Sequence, residues 1–121
     1  MRRALAQADP QNDLLRGRLA HALASLARVE AASRRLDAAV RHASEAVTLA
    51  RMSASGAVPD NLSRVALAEA LASLAFVEGQ RSQRAASCRW YREAAALYTQ
   101  ANAKETNDLV ETRTALTACG G

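Results

Sequence analysis

Aromatic residues are nearly missing from this 121-residue chain: one Trp, two Tyr and one Phe make up 3% of it. Strands draw on aromatic and β-branched side chains, so a sheet-based core has little to be built from. Cysteine is limited to Cys88 and Cys119, 31 residues apart, with no C-x-x-C and no Cys/His cluster beside them. That excludes the usual zinc and dithiol motifs and reads first as two small buried hydrophobes, with a disulfide left open. No apolar run approaches the roughly 18 residues of a membrane span, and Met1-Arg2-Arg3 leads into no long apolar segment of an export signal. The expectation is a soluble, cytoplasmic chain without membrane contact; a fragment of a membrane-anchored parent is the alternative.

Catalytic vocabulary is equally thin. His21 and His42 are the only histidines, and there is no His-Glu-x-x-His, no phosphate-cradling glycine loop and no Gly-x-Ser-x-Gly elbow. Neither an enzyme nor a bound cofactor or metal is expected. His42, near Glu45 at i+3, reads as an exposed helix-face pair. Lysine occurs once against 15 arginines, and the formal charge is +4. Residues 1–103 hold 14 basic and 9 acidic groups, so the charge is dispersed rather than clustered. A nucleic-acid binder asks for a clustered basic face and a recognised motif. A small basic helical protein that binds nucleic acid or another polyanion is therefore kept only as the alternative function.

What is abundant is alanine, with 30 residues, inside a composition that is 50% apolar. Alanine has the best helix propensity and lets helices approach closely. Self-comparison then finds a repeat: residues 22–30, ALASLARVE, and residues 70–78, ALASLAFVE, agree at eight of nine positions at an offset of 48. The register persists without a gap, since Arg41, Glu45 and Ala46 align with Arg89, Glu93 and Ala94. The repeated unit is two helices long.

Punctuation places the helices. Asp9-Pro10-Gln11-Asn12-Asp13 precedes a first helix over about 12–32, with an inward stripe of Leu15, Leu19, Ala22, Leu23, Leu26 and Val29. Ser33-Arg34-Arg35 breaks it, and a second helix over about 36–53 packs through Ala39, Val40, Ala43, Val47 and Ala50. Residues 53–61 form a Gly- and Pro-containing loop. A third helix over about 61–79 uses Leu62, Val65, Leu67, Leu71, Leu74 and Val77. A fourth, about 83–102, has Cys88, Tyr91, Ala94, Ala95 and Tyr98 inside, with Trp90 as a core anchor. Thr106-Asn107-Asp108 caps a last helix over about 107–118, with Leu109, Val110 and Leu116 facing inward. The expected organisation is a single all-α domain: a tail or linker over 1–11, repeats over 12–54 and 60–103, and a capping helix and tail over 104–121.

With Leu26-Ala27 and Leu74-Ala75 as the Leu and small residue of the first helices, and Ala39, Ala46, Ser87 and Ala94 as small residues of the second, each unit resembles a tetratricopeptide repeat. The segment 88–94, CRWYREA, is further similar to the last repeat of tetratricopeptide regions attached to bacterial serine/threonine protein kinases. The spacing of 48 instead of 34, and Glu30 and Glu78 where the family has an aromatic, depart from that pattern. The resemblance implies helical hairpins in a right-handed α-α superhelix whose first helices line a surface for a partner peptide or helix. Ala4-Leu5-Ala6-Gln7-Ala8-Asp9-Pro10 reads as the tail of a preceding repeat.

The candidate partner-binding residues are then His21, Ser25 and Arg28 with Glu69, Ser73, Phe76 and Gln80. Arg28 and Phe76 occupy the one position at which the nine-residue repeat varies. Arginine pairs bidentately with carboxylates and an aromatic anchors apolar contacts, so a protein or peptide partner is the expectation. Arg81, Arg84, Arg89 and Arg92, near one another around the fourth helix, are the candidate anion-binding set. Two hairpins bury a single inter-repeat interface, whereas repeat arrays need about three units for stability. Self-association through the outer face of the first helix is expected to supply the rest.

Overall fold

The structure, a computed structural model, describes residues 10–54 and 61–120, and these hold five helices and no strand. They are α1 (Pro10–Ala32), α2 (Leu36–Ala54), α3 (Asn61–Gln80), α4 (Arg84–Gln100) and α5 (Asn107–Ala118). The proposed upstream tail, residues 1–9, and most of the inter-repeat loop lie outside the described residues. The five expected helices are present, with ends shifted by a few residues at most.

Three turns share one geometry. Arg34, Ser82 and Asn102 adopt left-handed backbone conformations with φ of 65°, 62° and 50°. Behind each, the chain closes the helix with the paired hydrogen bonds of a Schellman motif. Arg35 N donates to Glu30 O at 2.8 Å, Gln83 N to Glu78 O at 2.8 Å, and Ala103 N to Tyr98 O at 3.1 Å. Arg34 and Ser82 stand 48 residues apart, so the sequence period reappears as a repeated turn that reverses each hairpin. Thr106 caps α5 as expected, accepting from Leu109 N at 3.3 Å.

Helix α3 is the centre. It packs against α1, α2, α4 and α5 and is buried nearly all round from Leu67 to Val77. The inter-helix layers are lined by alanines with no exposed surface, among them Ala27, Ala39, Ala46, Ala75 and Ala94. Where alanine gives way to Ser87, its hydroxyl donates to Ala75 O at 2.7 Å, which satisfies a polar group that would otherwise be costly to bury.

Several inward assignments are corrected. In α1 the buried row is Ala20, Ala24, Ala27 and Ala31, and the expected Leu15, Leu19, Ala22, Leu26 and Val29 are exposed. The two rows lie about one residue apart, some 100° around the helix, and both repeat at helical spacing. Close packing against α2 and α3 selects the smaller one. Leu62 is 80% exposed, before α3 enters the core. Val110 is exposed, and Thr112 takes the buried place in α5, its hydroxyl bonded to Asp108 O at 2.8 Å. Trp90 is only partly buried at the core's edge, with the Arg89 guanidinium 4.5 Å from its ring, so it is not the core anchor. Leu71, Val77 and Thr112 are the largest fully buried side chains among the described residues. His42 pairs not with Glu45 but with Glu30 across the first hairpin, at 2.7 Å. Cys88 and Cys119 form a disulfide with Cα atoms 6.0 Å apart, tying the end of α5 to α4.

Candidate interaction surface

Because α1 and α3 pack side by side and α5 lies against α3, residues from these three helices converge on one face. Arg28 of α1 lies across it. Its Nε donates to Ser73 Oγ at 2.9 Å, and Nη1 and Nη2 donate to the two oxygens of Glu111 at 2.8 and 3.2 Å. Asp108 stands 3.8 Å from the same guanidinium, and the Phe76 ring centre lies 5.2 Å below it. Tyr91 completes the arrangement from α4, donating its hydroxyl to Glu111 Oε2 at 2.8 Å.

Burial works against the Arg28 charge, but the Glu111 hydrogen bond and the charges of Glu111 and Asp108 outweigh it, and its pKa is raised. The Tyr91 hydroxyl is pushed well above the usual phenol range, first by burial and then by its bond to the Glu111 carboxylate. The carboxylate that the sequence led one to seek on a partner is thus supplied by the chain's own closing helix.

Beside this cluster is a cavity of ≈ 150 Å³ between α1 and α3, whose lining includes His21, Ser25, Arg28, Glu69, Ser73 and Asp108. Five of the seven candidate residues meet there. Phe76 is placed next to it, under Arg28. Gln80, at the end of α3, does not line it; its carbonyl accepts a 3.5 Å bond from Arg34. Glu69 makes no hydrogen bond or ion pair with the described residues. Burial raises its pKa, the Asp108 charge raises it further, and His21 partly offsets both. Tyr98, also buried, feels Asp108 and Glu69 after burial itself, and its hydroxyl has no hydrogen-bond partner among the described residues.

The arginine series, with Arg81 in the turn before α4 and Arg84, Arg89 and Arg92 on it, is largely engaged. Arg81 bonds Glu78 at 2.7 Å, Arg84 donates to Ala118 O at 2.7 Å, and Arg89 stacks on Trp90. Arg92 is exposed. Glu93, adjacent in sequence, pairs with Arg51 of α2 at 2.8 Å instead. Sequence reasoning missed Asp108 and Glu111, whose i, i+3 spacing on α5 reads as an ordinary solvated helix start. It also missed Tyr91 and Tyr98 as polar participants, because their helical spacing marks them as core.

No protein-family model, curated protein or solved structure matches this chain in the comparisons made.

Proposed function

We propose that this chain is a protein-interaction module of tetratricopeptide-like helical hairpins that docks a further helical hairpin, supplied by a second copy, on the outer face of α1. One observation carries the reading: identical residues of the repeat differ in burial. Leu26 is 43% exposed and its equivalent Leu74 is 6%; Val29 is 63% exposed and its equivalent Val77 is 0%. In the second repeat this face is covered by the first hairpin, as the contacts of α3 with α1 and α2 require. In the first repeat the same side chains, continued by Leu15 and Leu19, form an open apolar row. Exposed apolar surface of that kind marks an interaction site.

Sedimentation of the wild-type chain and of Leu26→Asp/Val29→Asp tests this. A concentration-dependent dimer that the double variant abolishes is the expected result. A wild-type monomer at the highest soluble concentration overturns it.

Disulfides persist in oxidising compartments and are rare in the cytosol, so the Cys88–Cys119 bond favours an oxidising compartment over the cytoplasm expected from sequence. Thiol titration of protein isolated with rapid alkylation decides between them, with no free thiol expected.

A further inference from the structure

Helix α5 is lightly held for an element that closes the fold. It buries only Leu109 and Thr112, and among the described helices it packs on α4 and α3 alone. Residues 101–106 tether its start to α4, and the Cys88–Cys119 disulfide ties down its far end. Between these attachments Glu111 accepts from Arg28 and Tyr91, and Asp108 brings a second carboxylate to the same guanidinium.

The seat beneath α5 is built without it. Arg28, Ser73 and Phe76 belong to α1 and α3, and Tyr91 to α4, so the two repeats place all four. Ser73 and Phe76 hold the guanidinium independently of Glu111. A fixed guanidinium with a phenol hydroxyl beside it is a donor set fitted to a carboxylate. The helix now seated there states the chemistry that fits: carboxylates three residues apart, Asp108 and Glu111, beside a buried row of Leu109 and Thr112.

The bond that locks this helix is reachable. Cys88 is buried and Cys119 only partly so, and both border a cavity of ≈ 350 Å³ together with Gly79, Ser82 and Arg84.

We propose that α5 is an internal stand-in for an acidic helix of a partner polypeptide, and that thiol reduction of Cys88–Cys119 frees the seat on Arg28, Ser73 and Tyr91 for that partner. The reductant is a dithiol. One of its thiolates attacks the Cys119 sulfur, forming a mixed disulfide and expelling Cys88 as a thiolate, which takes up a proton. The second thiol of the reductant loses its proton and displaces Cys119, which is protonated in turn. The protein gains two thiols, and the reductant leaves as a cyclic disulfide, oxidised by two electrons. Arg84, bordering the same cavity, favours the departing thiolate. With the bond intact the far end of α5 stays anchored, and the small fraction of open seats lowers the apparent affinity for any partner. The seat is separate from the outer face of α1, and either can fail alone.

The test is fluorescence anisotropy of a labelled peptide of residues 105–118, a cysteine-free copy of α5. It is titrated with the full chain carrying Leu26→Asp/Val29→Asp, which keeps association through α1 out of the readout. Oxidised, neither this chain nor its Glu111→Gln form should bind. Reduced with dithiothreitol, both should bind saturably, the Glu111→Gln form at least threefold more tightly because its own α5 holds the seat less. Glu111→Gln in the peptide should weaken binding at least tenfold, and far-UV circular dichroism should show the reduced chains still helical. Binding that ignores reduction, none to the reduced Glu111→Gln chain, undiminished affinity of the Glu111→Gln peptide, or unfolding on reduction overturns the proposal. So does a reduced chain that sediments as a dimer, because the α5 of a second copy then fills the seat.

Discussion

Arg28 lies over the ring of Phe76, 5.2 Å from its centre. These two residues are the only variation within the nine-residue repeat, and they are in contact. The substitution that separates the repeats therefore joins them, with Phe76 forming a floor for a guanidinium that Glu111 and Ser73 hold from the sides.

Arg28 is consequently part of the fold, and changing it tests stability as well as recognition. Arg28→Ala should cost about 2–4 kcal/mol, because it strands Glu111 and Asp108 without their cation. Arg28→Lys should recover only part of this, since an ammonium cannot reproduce the bidentate geometry. Urea denaturation of the three proteins checks the order; an Arg28→Ala chain as stable as wild type would contradict it.

The repeat permits a matched pair of truncations. Leu74→Ala should destabilise by about 2–5 kcal/mol as a buried large-to-small change. Leu26→Ala, at the equivalent exposed position, should stay within about 1 kcal/mol in dilute solution. In the proposed dimer the same pair should converge at high protein concentration, because that association would bury Leu26 as Leu74 is buried.

The disulfide closes a loop of about thirty residues that contains the junction between α4 and α5. Chain entropy gives a cross-link of that span about 3–4 kcal/mol. Reduction, or Cys88→Ser/Cys119→Ser, should lower stability by that order and should speed amide exchange in α5 before the other helices. The reason is that α5 otherwise buries only Leu109 and Thr112. Unchanged exchange in α5 after complete reduction would refute this.

The titrations have a definite sign. The Glu69 carboxyl has a raised pKa in the folded chain, so it favours folding when protonated and opposes it once ionised. Its favourable contribution is present below its unfolded pKa and is lost as pH rises through the folded value. Glu69→Gln should therefore raise the melting temperature at neutral pH and have little effect in acid below the carboxylate range. Tyr91 and Tyr98 are raised for the same cause of burial. The stability they contribute is present below their unfolded pKa of 10.0 and declines as the solution becomes more alkaline. Tyrosinate absorbance should thus appear together with unfolding, not before it.

Much of the architecture was legible without coordinates. Alanine abundance excluded a sheet, the eight-of-nine match at offset 48 defined the hairpin unit, and Thr106 marked the start of α5. These properties are local: helix propensity, capping and turn chemistry depend on neighbours in the chain. Which face of α1 points inward was not local. Its leucine and alanine rows have the same period, and only the close approach of α2 and α3 selects the alanines. The candidate residues on α1 and α3 were found because repeat equivalence places them on one side. Their partners on α5 were not, because Asp108 and Glu111 look like any acidic helix start until the chain brings them to Arg28.

The sequence by itself thus determined the five described helices and their two-helix repeat, since each follows from contacts within a few turns. Tertiary structure alone decided that the Cys88–Cys119 pair is bonded, that Leu26 is open while Leu74 is closed, and that Arg28 is answered by Glu111. Those outcomes rest on which surfaces meet across 31, 48 and 83 residues of chain, and an amino-acid pattern carries no distance of that kind until the helices pack.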